Sequence, residues 1–300
     1  MHAGVDLGGT KIEIIALDEA GKQRLRRRTE TPQDDYAATI GAIRGLVLDA
    51  ECELGAELAV GICTPGAVSP SSGRLKNSNS VCLNGKPLKE DLESALQREL
   101  RIANDADCFA LSEACDGSGA DASSVFGVIL GTGTGGGLVI NGRLVNGPNA
   151  IAGEWGHNPL PWPREEELPG PSCYCGRRGC IETWLSGPGL ARDYESASGE
   201  TLSAIEIARL EQAGNEDHAR ASLDRYVDRL ARGLASIINV VDPEVIVLGG
   251  GVGNIERLYR DVPRHWGRYV FSDRVDTRLR RPVHGDSSGV RGAAWLWRDA

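Results

Sequence analysis

The chain has 300 residues, a formal net charge of −9, and 41% apolar and 25% charged residues, an ordinary globular balance with length enough for one large domain or two. The acidic excess argues against non-specific binding to nucleic acid or to an anionic membrane, since either surface would repel it. No run of about 18 apolar residues is present to span a bilayer, and the opening Met1-His2-Ala3-Gly4-Val5-Asp6 lacks the basic and apolar regions of a signal peptide.

In chain order, strands are expected at 3–7, 11–17 and 23–29, the last two joined by an Asp18-Glu19-Ala20-Gly21 turn. Apolar residues at helical spacing (Ile40, Ile43, Leu46, Val47) predict a helix over 34–53. A buried strand at 58–62, a helix at 88–100, a strand at 101–103 and a helix at 105–115 follow, an order that fits an α/β layer domain. Asp116-Gly117-Ser118-Gly119 reads as a boundary, beyond which come a strand at 125–130, a glycine-rich turn at 131–137, a strand at 138–140 and an Asn141-Gly142 hairpin into 143–145. Gly4 to Gly9 and Gly127 to Thr132 agree at four of six positions, which suggests two related domains facing each other across a cleft. An irregular stretch at 159–189, a long helix at 219–240, a strand at 244–248 ending in Gly249-Gly250-Gly251, and a helix at 289–297 complete the reading.

Several motifs suit phosphate and metal chemistry. In Asp6-Leu7-Gly8-Gly9-Thr10-Lys11, glycines admit a phosphate to backbone N–H groups, Thr10 adds a donor, and Asp6 suits hydrated magnesium; an ordinary hairpin is the competing reading. Gly131-Thr132-Gly133-Thr134-Gly135-Gly136 contains GxGxxG, but it runs into a strand instead of opening a helix, so a phosphate-binding hairpin fits better than a dinucleotide site. Cys173, Cys175 and Cys180 with His157, 16 residues before Cys173, form the ligand set of a closed tetrahedral zinc site, structural because no position is left open. The other five of the eight cysteines are scattered singly, as core thiols in a reducing compartment would be. Asn104-Asp105 stands before a predicted helix, where Asp105 is either an N-cap or a general base for a sugar hydroxyl. Glu154 and Glu182 flank the metal ligands and suit polyol recognition.

Together these residues resemble the ROK family of bacterial sugar kinases and repressors, in the actin/hexokinase-like superfamily. The resemblance covers nearly the whole chain. Its most specific parts are Gly153-Glu154-x-Gly156-His157 and Cys173-x-Cys175-Gly176-x-x-Gly179-Cys180-x-Glu182, with Asp6 to Lys11, Gly61-x-x-x-Pro65-Gly66, Asn104-Asp105, Gly131-Thr132-Gly133 and Gly249-Gly250-Gly251 in family order. Asn77-Ser78-Asn79-Ser80, Leu83-Asn84-Gly85, 156–162 and 285–292 resemble bacterial fructokinases that also accept mannose, so fructose is the expected substrate. Glucokinase or N-acetylhexosamine kinase activity is the alternative.

The resemblance implies two actin-like (ribonuclease H-like) domains with an interdomain cleft: residues 1–116 completed by a C-terminal helix at 288–300, and residues 117–287 with the zinc loop. It implies Asp105 as base and Asn79, Asn104, Glu154, His157 and Glu182 on sugar hydroxyls, with His157 using one ring nitrogen for sugar and the other for zinc. Asp6, Gly8, Gly9, Thr10, Lys11, Gly131, Thr132 and Gly133 would hold MgATP, and Gly249, Gly250 and Gly251 would border the adenosine. The implied cofactors are ATP, Mg²⁺ and structural Zn²⁺; the partners are a hexose, MgATP and a second copy in a homodimer, in the cytoplasm, with no nucleic acid or membrane. Two departures stand out: Cys82 where relatives often carry a large aromatic residue, and Asp107 for a common Asn, a second carboxylate near Asp105 that is expected to raise the pKa of one of the two. A sugar-sensing repressor of the family needs a DNA-binding segment, and only five residues precede Asp6, so a kinase is expected.

Overall fold

A computed structural model describes residues 1–78, 80–214 and 216–298; Asn79, expected on the sugar, lies outside them. The first stretch forms β1 (His2–Leu7), β2 (Lys11–Leu17), β3 (Gln23–Glu30), α1 (Tyr36–Leu54), β4 (Ala59–Thr64), β5 (Ala67–Val68), β6 (Leu75–Lys76), α2 (Leu88–Leu96), β7 (Arg101–Asn104) and α3 (Asp105–Cys115). Next come β8 (Ser124–Leu130), β9 (Thr134–Ile140), β10 (Arg143–Leu144), α4 (Ile181–Leu185), α5 (Gly187–Ser198), α6 (Ala204–Ala213) and α7 (Asp217–Val241). The chain continues with β11 (Val245–Gly249), α8 (Gly250–Gly253), α9 (Glu256–Trp266), β12 (Arg278–Arg280) and α10 (Ser288–Trp295). Two compact units result, one of Met1–Ala120, Gly137–Ala152 and Val283–Ala300, the other of Asp121–Gly136 and Gly153–Pro282.

In the first unit a five-stranded sheet runs β3-β2-β1-β4-β7. β2 is antiparallel to β1 and β3, while β4 is parallel to β1 and β7. Val5, Ile12 and Ile14 of the sheet are buried with Ile43 and Val47 of α1 and Leu88 and Leu92 of α2. The C-terminal α10 belongs to this unit and lies almost on the sheet backbone. A Cβ at Gly4 would come 1.9 Å from the Val290 carbonyl oxygen, and one at Gly61 would come 1.9 Å from that of Ala293. On the other side of α10, a Cβ at Gly292 would come 1.7 Å from the Cys108 oxygen of α3. Only glycine admits such an approach. The returning segment is tied down by the buried Glu113 carboxylate, which accepts from Val283 N–H at 3.1 Å, Ser288 Oγ at 3.0 Å and, from the departing chain, Ser118 N–H at 2.9 Å.

The second sheet runs β10-β9-β8-β11-β12, with β11 parallel to β8 and β12, and the division between the units falls inside β9. Its strand order repeats that of the first sheet: in each, three successive strands add in one direction and the next two add on the other side of the first. The matching Gly4 and Gly127 segments fall on β1 and β8, the equivalent strands. α7 begins at the cap of Glu216, which accepts from His218 and Ala219 N–H, and buries Leu223, Tyr226, Leu230 and Leu234. Beside it lies a buried ionic network. Glu167 receives Arg229 Nε at 2.8 Å, Arg232 Nη1 at 2.8 Å and Nη2 at 2.7 Å, and the Arg164 N–H at 2.8 Å.

Candidate functional site

In the first unit the β1–β2 turn is braced from inside. Gly8 N–H donates to Lys11 O at 3.0 Å, Thr31 Oγ1 to Gly8 O at 2.7 Å, and Gln33 Nε2 to Gly9 O at 3.0 Å. Lys11 Nζ lies 4.0 Å from the buried Glu13 carboxylate. Burial raises the Asp6 carboxyl above the usual aspartate value; a hydrogen bond with Cys63 opposes this, while the charges of Glu13 and Asp105 add to it. Asp6 and Asp105 are therefore electrostatic neighbours, brought together because β1 and β7 flank β4 in one sheet.

At the β7–α3 junction the two sequence roles of Asn104-Asp105 separate. Asn104 is the N-cap, its Oδ1 accepting from Asp107 N–H at 2.6 Å. Asp105 keeps exposed surface and receives Ala106 N–H on Oδ1 at 2.9 Å. Crowding by protein raises its carboxyl above the ordinary range, with that N–H pulling the other way. The Asp107 charge is not among the causes of that shift. Cys82 packs, partly buried, against the core of this unit.

In the second unit the glycine hairpin is clamped at both ends. Gly131 N–H closes on Gly133 O at 2.9 Å, and Gly187 N–H reaches Gly131 O at 2.7 Å. Thr134 N–H donates to Glu182 Oε2 at 3.0 Å, and the Thr134 hydroxyl is buried with no hydrogen-bond partner among the described residues. The Gly249–Gly251 turn meets the same region, for Gly250, at φ 78°, would place a Cβ 2.4 Å from Leu130 O at the end of β8.

The metal ligands expected from spacing do converge. One donor atom from each of His157, Cys173, Cys175 and Cys180 lies within 4.8 Å of the others. His157 Nδ1 is 3.6 Å from Cys173 Sγ, and Cys175 Sγ is 3.6 Å from Cys180 Sγ. Sulfurs about 2.3 Å from a common tetrahedral ion would stand about 3.8 Å apart, whereas a disulfide is about 2.05 Å long, so the donor set fits a metal and all three thiols are free. Arg177 N–H lowers the Cys175 thiol, while burial and then the other two sulfurs push Cys180 up to about 12. A cation would relieve that mutual repulsion.

Sequence reasoning missed Tyr174. Its hydroxyl sits 2.9 Å from His157 Nε2, the nitrogen expected on the sugar, and the two rings meet edge to face. The phenol is raised to about 12, by partial loss of solvent first and then by the charges of Glu182, Cys173 and Glu154, although the side chain is 80% exposed. Tyr174 fits no ligand spacing, so only the folded loop reveals it.

The ROK family model matches residues 2–300. The chain is 42% identical over 300 residues to an N-acetyl-D-glucosamine kinase of Photobacterium profundum, covering 99% of both chains. Among solved structures it is similar to a ROK hexokinase from Thermus thermophilus, with 32% identity, a TM-score of 0.87, and 98% of this chain and 96% of that one covered. A ROK glucokinase from Streptomyces griseus, in complex with glucose and AMPPNP, is 27% identical with a TM-score of 0.77, 98% of each chain being covered.

These relatives correct the fructose expectation: near-full-length identity falls to N-acetyl-D-glucosamine kinase. The physical reason is that the segments read as fructokinase-like brace the fold. Asn84 Oδ1 accepts from Ser78 N–H at 2.9 Å and its Nδ2 donates to Ser78 O at 2.8 Å. Arg232 holds the Pro161 and Trp162 carbonyls, and Gly292 serves the packing of α10.

Proposed function

Because the chain belongs to the ROK family and is an ATP-dependent sugar kinase, we propose that its acceptor is N-acetyl-D-glucosamine, phosphorylated on the primary C6 hydroxyl. The 42% identity with an N-acetyl-D-glucosamine kinase across 99% of both chains is the observation that supports this most. The C6 alcohol is the least crowded hydroxyl of that sugar and lies away from the acetamido group at C2.

Asp105 is the base. Asn104 relieves it of capping α3, and its raised carboxyl moves towards the pKa that suits proton acceptance near neutral pH. The hydroxyl it orients attacks the terminal phosphorus of ATP. The amides of Gly8 to Lys11 and of Gly131 to Gly133 hold the phosphates, with Gly249 to Gly251 beside the adenosine. Bound magnesium, for which Asp6 is the proposed carboxylate, supplies positive charge to the transferring group.

Asn104, Glu154, His157 and Glu182 bind the sugar hydroxyls. With Nδ1 on zinc, His157 presents Nε2–H, which now meets Tyr174. The four donors hold zinc as a structural ion that fixes this loop. The repeated strand order supports a duplicated, actin-like pair of ribonuclease H-like domains. A homodimer in the cytoplasm, where ATP is at hand and thiols stay reduced, completes the proposal.

Incubation with MgATP and N-acetyl-D-glucosamine, followed by phosphorus-proton correlation NMR, should give ADP and a sugar phosphorylated at C6. ATP consumption with no phosphosugar, or phosphate on another carbon, would overturn the reading.

A further inference from the structure

We infer that Glu182 is a positioning residue for the nucleotide hairpin as well as a sugar contact. The inference rests on the proposed reading of Gly131 to Gly133 as a phosphate cradle.

Three observations within the second unit support it. Glu182 Oε2 accepts the Thr134 N–H at 3.0 Å, at the point where the glycine turn becomes β9. The same oxygen closes against the turn itself, since a Cβ on Gly133 would lie 2.7 Å from it. Beside them, the Thr134 hydroxyl is more than nine-tenths buried and unpartnered among the described residues, a donor left for a ligand of the hairpin.

A glycine turn has little stiffness of its own, and its amides bind phosphate well only when held in one arrangement. Inward hydrogen bonds from Gly131 and Gly187 fix the near end. The Glu182 carboxylate fixes the far end, from the first turn of α4, two residues beyond the metal ligand Cys180. One carboxylate therefore serves two tasks through two oxygens. Oε2 holds the hairpin, and Oε1 remains for the sugar.

The two tasks separate experimentally because glutamine keeps an acceptor oxygen but loses the charge, while alanine loses both. Affinity for AMPPNP with magnesium, without sugar, should be measured by titration calorimetry for wild type, Glu182→Gln and Glu182→Ala. Removing a hydrogen bond to a charged acceptor predicts nucleotide binding about tenfold weaker in Glu182→Ala, with Glu182→Gln near wild type. Both variants should bind N-acetyl-D-glucosamine more weakly. Nucleotide affinity unchanged in Glu182→Ala, or lowered equally in Glu182→Gln, would overturn the inference. Should Glu182→Ala not fold, Gly133→Ala tests the same contact from the other side: the inference predicts weakened nucleotide binding, and unchanged binding refutes it. A wild-type chain that does not bind AMPPNP would instead remove the phosphate-cradle reading itself.

Discussion

At the residue scale, Asp105 shows how one dipeptide can be read two ways. The sequence left it between helix cap and base, because either role suits an acid before a helix. The fold gives the cap to Asn104, a distinction that depends on backbone angles no residue pattern encodes. In the proposed role the ionised Asp105 is the active form, so kcat/KM should fall as pH drops through its value, with the acid limb above the ordinary aspartate range. A raised carboxyl also burdens the fold. Below both pKa values it is protonated in folded and unfolded chains alike; as pH rises through the folded value, the folded state holds a charge that the unfolded chain solvates better. Asp105→Asn should therefore lower kcat by about 10²–10⁴-fold and raise the melting temperature at neutral pH. A variant with near-normal turnover, or a lowered melting temperature, would contradict this. The metal cluster was more legible, because thiols at close spacing have few other uses. If the four donors hold zinc as proposed, replacing Cys173 or Cys180 by serine should lower the zinc content read by metal analysis and weaken sugar binding with it.

At the scale of elements, strongly patterned segments were legible and crowded ones were not. The central strands and α7 follow apolar periodicity. By contrast, the glycines at 135–137 read as turn, yet they lie in β9, where a Cβ on Gly136 would come 2.9 Å from both Phe126 and Trp155. Their small size serves packing. α5, α6 and α9 escaped notice because each buries only a few apolar residues, as with Leu258, Val262 and Trp266 of α9. α10 supplies a direct comparison of glycines. Gly292→Ala should cost about 1–3 kcal/mol by overpacking against Cys108 O, whereas Gly41→Ala in α1, with nothing within 4 Å, should stabilise by about 0.4–1 kcal/mol. Denaturant melts of both variants check the sign. In the Glu167 network, burial pushes the carboxyl up, but Arg232, the Arg164 N–H and Arg229 outweigh it and hold it at about 2. A depressed value means stability present above the unfolded value, 4.5, and lost as pH falls from there towards about 2. Glu167→Ala, which removes the carboxylate shared by two buried arginines but leaves them Asp193 and Asp228, should cost about 1.5–3 kcal/mol. A loss below 1 kcal/mol would show that the network is not structural.

For the whole molecule, the class of reaction was legible and the substrate was not. Glycine hairpins, an acid at a strand–helix junction and a Cys₃His loop have few chemical uses in combination. In the proposed reading the choice of hexose rests on one or two contacts around His157, Glu154 and Glu182, with Tyr174 beside His157. The segments that resembled fructokinases instead hold loops and α10 in place, so they follow the fold more closely than the sugar. The most direct test is a one-pot competition: N-acetyl-D-glucosamine, glucose and fructose at equal concentration with limiting MgATP, the products weighed by mass spectrometry. Because product ratios in competition report ratios of kcat/KM, N-acetyl-D-glucosamine phosphate should dominate. A mixture dominated by hexose phosphate would contradict the assignment.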